Sequence, residues 1–149
     1  MGLRMNAQRS TSNAQRPSAE NGARKYDLEN RLLNYAVVIL QVVEQLPNTR
    51  AGNHVAGQLI RCGTSPLPNH GEAEAAESSD DFAHKLKVCL KELRESKRWL
   101  LLIQRAELLG NKQLVSASLQ ETEELIRIFF TSFRTVERHK RDRLARRGS

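Results

Sequence analysis

The sequence predicts an all-helical protein: an antiparallel, up-down-up-down four-helix bundle with a proline-kinked second helix. Three observations lead there. Apolar residues recur in alternating steps of four and three along four separate stretches, which lines up one face of a helix. Proline, or glycine followed by asparagine, interrupts the chain between those stretches, where helices stop. No run alternates apolar and polar residues with period two for long enough to make a strand. Amphipathic helices joined by short connections fold back on one another as a bundle.

Helix one is expected from about Asp27 to Leu46. Leu28, Leu32, Tyr35, Ile39, Val42 and Leu46 form its seam, Asp27 suits its first turn and Pro47 ends it. Helix two starts near Thr49 and carries Val55, Leu59 and Cys62. Gly63, Pro66, Pro68 and Gly71 follow. Two prolines two residues apart do not both fit an undistorted helix, so a break or sharp kink is expected at 63–68, then a turn or two through Glu72–Glu77. Helix three opens at Ser78 or Ser79 with Asp80 and Asp81 in its first turn. Its seam is Phe82, Leu86, Cys89, Leu93, Ser96, Leu100 and Ile103, and Gly110-Asn111 is its expected stop. Helix four runs from about Gln113 into the mid-130s on Val115, Leu119, Thr122, Ile126, Phe129, Phe133 and Val136.

Helices one and three carry more apolar surface than one seam needs. Tyr35–Val43 has only Gln41 as a polar residue, and Trp99–Ile103 is apolar all round. A second apolar face must be covered, so a homo-oligomer is expected.

The chain divides into a disordered basic arm (1–24), the bundle (25–136) and a basic tail (137–149). The arm is rich in Ser, Asn, Gln, Arg and Gly and cannot offset its ordering entropy by burial. Its Met-Gly start lacks the Ser or Thr that myristoylation needs, because position 6 is Asn6. Net charge is +7, and its placement matters more than its size. Residues 1–25 hold Arg4, Arg9, Arg16, Arg24 and Lys25 against Glu20, a net +4. Residues 134–149 hold Arg134, Arg138, Lys140, Arg141, Arg143, Arg146 and Arg147 against Glu137 and Asp142, a net +5. The segment between them is left at −2. Basic arms on a near-neutral body suit a polyanionic partner.

No apolar run reaches the roughly 20 residues of a membrane span, and the first 25 residues contain no secretory-type apolar stretch. Cys62 and Cys89 stand alone and read as buried thiols. A cytoplasmic location is expected.

The segment from Gln58 to Leu109 carries Gln58-Leu59-Ile60-Arg61, then Ser65, Asn69 and Glu72, then Ser79-Asp80-Asp81-Phe82, then Glu95. Together with the opening Asp27-Leu28-Glu29, these resemble a bacterial four-helix bundle family first noticed as proteins encoded in intervening sequences of large-subunit ribosomal RNA genes. The resemblance covers roughly residues 27–136. It departs where the family shows Ile-Pro between the Ser and the Asn; here the run is Pro66-Leu67-Pro68. The Gly that usually follows the Glu is Ala73 here, and Gly71 comes earlier. The resemblance implies an antiparallel bundle, often a cyclic pentamer. It also implies a distant relation to the accessory proteins of diversity-generating retroelements, which bind a reverse transcriptase and engage nucleic acid. Arg61, Ser65, Asn69, Glu72 and Glu95 form the family-motif polar cluster. On a continuing helix Ser65, Asn69 and Glu72 share one face. That face reads as a polar cluster satisfying backbone groups freed by the prolines, ahead of a binding pocket.

No catalytic motif is present. His70-Gly71-Glu72 has the His-x-Glu of zinc deaminases without the required Pro-Cys-x-x-Cys. The cysteines and histidines lack metal-ligand spacing, the glycines fit no phosphate loop, and no serine sits in Gly-x-Ser-x-Gly. No cofactor is expected, and an enzyme is the least favoured class.

The strongest functional feature is a basic ladder on helix three: Lys87, Lys91, Arg94, Arg98 and Arg105. At 100° per residue they fall within about 60° of arc, opposite the apolar seam. Such a row tracks a phosphate backbone; the bland alternative is a solvated face, partly neutralised by Glu92 and Glu95. With Arg138, Lys140, Arg141 and Arg143 of the tail, it points to RNA or DNA bound through phosphates, by a non-enzymatic oligomeric scaffold. The alternative is a protein-interaction adaptor for a partner such as a reverse transcriptase. The two differ in whether nuclease treatment abolishes a pull-down.

Overall fold

The computed structural model describes residues 17–149, with side chains from Asp27 onward. The expected disordered arm therefore falls mostly outside the described residues. Five helical segments are present: α1 (Pro17–Gln45), α2 (Arg50–Thr64), α3 (Pro66–Glu74), α4 (Ser79–Arg105) and α5 (Lys112–Arg147). No strand occurs among the described residues. Only Ser65 separates α2 from α3, and it keeps right-handed helical torsions (φ −59°, ψ −36°). Its N–H still bonds the Arg61 carbonyl at 3.2 Å, and its own carbonyl still accepts from the Asn69 N–H at 3.2 Å. What the prolines remove is donors. The carbonyls of Cys62 and Thr64 lose their usual i+4 partners. Taking α2 and α3 as one interrupted helix, the architecture is all-helical and consistent with a four-helix bundle.

The expected seams form the core. Leu32, Tyr35, Ile39 and Val42 of α1 are buried against Val55, Leu59 and Cys62 of α2. Leu86, Cys89, Leu93, Leu100 and Ile103 of α4 meet Val115, Leu119, Leu125 and Phe129 of α5, where Leu125 and not the expected Ile126 takes the fully buried position. Leu28, Leu46, Phe82, Ile126, Phe133 and Val136 are partly buried at the margins. Gly63 lets α1 and α2 approach closely: a Cβ there would lie 2.7 Å from Ile39 Cγ2. The core also holds a polar chain. Thr122 Oγ1 donates to the Ser118 carbonyl at 2.6 Å, so the 2.8 Å contact with Tyr35 is donated by the tyrosine. At the α1–α5 seam, Arg31 takes Glu121 bidentately at 3.0 Å and Glu124 at 2.8 Å. Cys62 and Cys89 are buried free thiols.

Three boundaries differ from expectation. Helix α1 begins at Pro17, ten residues before Asp27; proline at a first helical position loses no bond and has its φ already set. Helix α4 stops at Arg105, not near Leu109. Glu107 turns left-handed at φ +50°. The N–H of Leu108 then bonds the Ile103 carbonyl at 3.1 Å, and that of Glu107 the Gln104 carbonyl at 3.3 Å, the paired bonds of a Schellman motif. Asn111, read as part of that stop, instead caps α5 by accepting the Leu114 N–H at 3.1 Å. At the other end α5 continues to Arg147, so the expected tail is helical to that point. No helix among the described residues is long and apolar enough to cross a membrane.

Candidate nucleic-acid interface

Helix α4 buries its seam with a fixed period, and that fixes what faces outward. Lys87, Lys91, Arg94, Arg98 and Arg105 are all exposed. None is in an ion pair with another described residue. Exposed Leu101 interrupts the row, setting Arg105 apart at the end of α4. There its charge meets the negative pole of the helix.

The C-terminal half of α5 adds a second row. Phe130, Arg134, Arg138 and Arg141 step by four, four and three, within about 80° of arc. With Thr131 and Thr135 they line a shallow depression of about 430 Å³. The two rows join where Arg94 and Arg134 both approach the Phe130 ring, their guanidinium carbons 5.9 and 5.7 Å from its centroid. Phe130 is 41% exposed. Sequence reasoning missed Phe130 and did not place Arg134 in the site. The signal was available in the four-three spacing of basic residues through 130–141, but the adjacent Phe129 and Phe133 of the seam obscured it.

The tail residues divide. Arg138, Arg141 and Arg143 are exposed. Lys140 is half-buried and holds Asp80 at 2.7 Å, which raises the lysine pKa and lowers that of the carboxyl. Lys140 ties α5 to the start of α4 in this structure and is not an open phosphate contact.

The family-motif cluster does not form one site. Arg61 reaches Glu95 at 3.3 Å and Gln58 at 2.8 Å. Asn69 donates to both the carbonyl and the hydroxyl of Ser65 at 2.9 Å. Glu72 turns to Lys85, whose pKa it raises. No hydrogen bond joins these three groups among the described residues. The carbonyl Asn69 caps is not one the prolines free, so the backbone-rescue reading of this cluster does not describe its bonds. Nearby, burial raises the pKa of the Cys62 thiol and pushes that of Cys89 up to about 12.

A family model described as 23S rRNA-intervening sequence protein matches residues 24–131. The chain belongs to this family. The 23S rRNA-intervening sequence protein match covers the α4 ladder, Arg94 and Phe130, and ends before Arg134. A similar solved structure is that of a protein of unknown function from the S23 ribosomal protein family of Bacteroides thetaiotaomicron, at 1.70 Å resolution. It is 29% identical, with a TM-score of 0.67, over 74% of this chain and 97% of that one. No curated protein matches.

Proposed function

We propose that this 23S rRNA-intervening sequence family protein is a non-enzymatic, cytoplasmic, oligomeric scaffold that binds RNA or DNA through phosphate contacts. The observation that carries this reading is the basic surface of Lys87, Lys91, Arg94 and Arg98 on α4 with Arg134, Arg138 and Arg141 on α5, none of them in an ion pair with a described residue. Unpaired surface cations on an otherwise near-neutral body are the footprint of a polyanion site. The family's descriptive tie to 23S rRNA favours RNA. The reading takes the helices as an up-down-up-down bundle bent at its prolines, supported by the pairing of Asp80 with Lys140 and of Lys97 with Glu123. Assembly into a homo-oligomer, for which the family resemblance suggests a pentameric ring, is supported by Leu33, Val37 and Leu40 along α1, 48, 46 and 42% exposed, with Leu101 and Leu102 exposed on α4. Apolar stripes of this kind are covered in stable proteins.

The test is a titration of a structured RNA at several salt concentrations, with sedimentation run alongside. The expected result is affinity falling steeply from about 50 to 300 mM salt, and falling at least tenfold on Lys91→Glu, Arg94→Glu and Arg98→Glu together. Salt-indifferent binding overturns the phosphate reading. Partner capture that survives nuclease digestion favours the adaptor role instead. A lone 16.9 kDa species at micromolar concentration removes the oligomer.

A further inference from the structure

We infer that Phe130, flanked by Arg94 and Arg134, is a base-stacking residue that makes this surface a site for single-stranded nucleic acid. The inference rests on the nucleic-acid reading above and narrows it to unpaired strands.

Two physical points lead to it. First, Arg94 and Arg134 both sit within 6 Å of one ring centroid, and neither is in an ion pair with a described residue. Two like charges beside one ring repel, and an anion bound next to them relieves the repulsion. Second, a phenylalanine left 41% exposed in the middle of cations offers what a phosphate-only site does not need. A base has a π-face that stacks on the ring, and its phosphodiester supplies the anion the guanidiniums lack. A duplex keeps its bases stacked on each other and offers phosphates, sugars and base edges but no free base face along its length, so Phe130 would go unused.

A second copy of the chain is the competing occupant. Seating it here would bury Arg94, Arg134 and Arg138, which have no ion-pair partner among the described residues of their own chain, and burying unpaired charge is costly. The apolar stripe on α1 carries no such charge and is the better surface for self-association. Neighbouring Arg138 and Arg141, with Thr131 and Thr135, extend the depression along α5 and give a strand a path away from the ring.

The experiment uses the full-length chain and end-labelled oligonucleotides of equal phosphate count: an oligouridylate, an oligothymidylate and a fully paired RNA hairpin closed by a non-nucleotide linker. The wild-type protein is expected to bind the single strands more tightly than the hairpin. Phe130→Leu, an exposed change that keeps apolar bulk and removes the π-face, is expected to weaken single-strand binding by about five- to one-hundred-fold. It should leave hairpin binding and the salt slope unchanged, while Phe130→Trp retains single-strand affinity. Equal binding of wild type and Phe130→Leu to single strands, with Arg138→Glu still weakening both ligands, overturns the stacking role and leaves the phosphate reading intact. No binding of any of the three at about 50 mM salt overturns both. Uridylate binding without thymidylate binding assigns the strand as RNA; equal binding leaves the shared single-strand chemistry as the site's ligand.

Discussion

At the scale of single residues, Glu107 is where local preference and the demands of packing conflict. Its φ of +50° is a conformation that costs a side-chain-bearing residue about 1 kcal/mol relative to glycine. The chain accepts it because of Leu109. Were α4 to continue, Leu109 would point about 120° away from Ile103 on the seam, toward solvent. Leaving the helix at Ala106 brings Leu109 to 3% exposure in the core. The ion pair of Glu107 with Lys112 at 3.2 Å is open to water on both sides and contributes little. Glu107→Gly is therefore expected to stabilise the protein by about 1 kcal/mol, read as a higher midpoint in urea at unchanged slope. A loss of stability would show that the Lys112 pair or the chain entropy of glycine outweighs the strain. Sequence reading put the stop at Gly110 because glycine is the usual left-handed residue; a glutamate in that role gives no local sign.

At the scale of elements, the starts of α2 and α4 were legible because capping is local. Thr49 accepts the Gly52 N–H at 3.0 Å and Ser78 accepts the Asp81 N–H at 3.1 Å, three residues apart in each case. How closely two helices pack is not local. Gly63 reads as a helix-breaking signal beside Pro66, yet α2 runs through it to Thr64. Its role lies across the bundle, where Ile39 fills the space a Cβ would need. Gly63→Ala gains helix propensity of up to about 1 kcal/mol but forces α1 away from α2. A net loss of about 1–3 kcal/mol is expected from overpacking against a fully buried isoleucine. Chemical denaturation checks it, and a stabilised variant would mean that α1 yields without cost.

At the scale of the whole molecule, the buried acids set an alkaline limit. Cys89 and Tyr35 titrate ordinarily near 9 and 10, and burial pushes both up to about 12. The folded state thus favours their neutral forms. The stability this represents is fully present below pH 9, where the unfolded chain is also protonated. It is lost as pH rises from about 9 toward 12 and the unfolded chain alone releases protons. For Cys89 the amount is on the order of 4 kcal/mol. Melting temperature against pH is expected to fall from about pH 9 upward, and less steeply in Cys89→Ala. Identical slopes for the two proteins would count against burial of that thiol as the cause.

The four apolar stripes could be read from the sequence alone because helical period is a property of neighbours three and four residues apart. The same period placed the α4 cations on an outer face. What tertiary structure decided is which distant side chains share a surface. Arg94 and Phe130 lie on different helices, and no spacing rule within one helix relates them. Only the register of α5 along α4, set by how their buried side chains interlock, brings the two together and turns Lys140 toward Asp80.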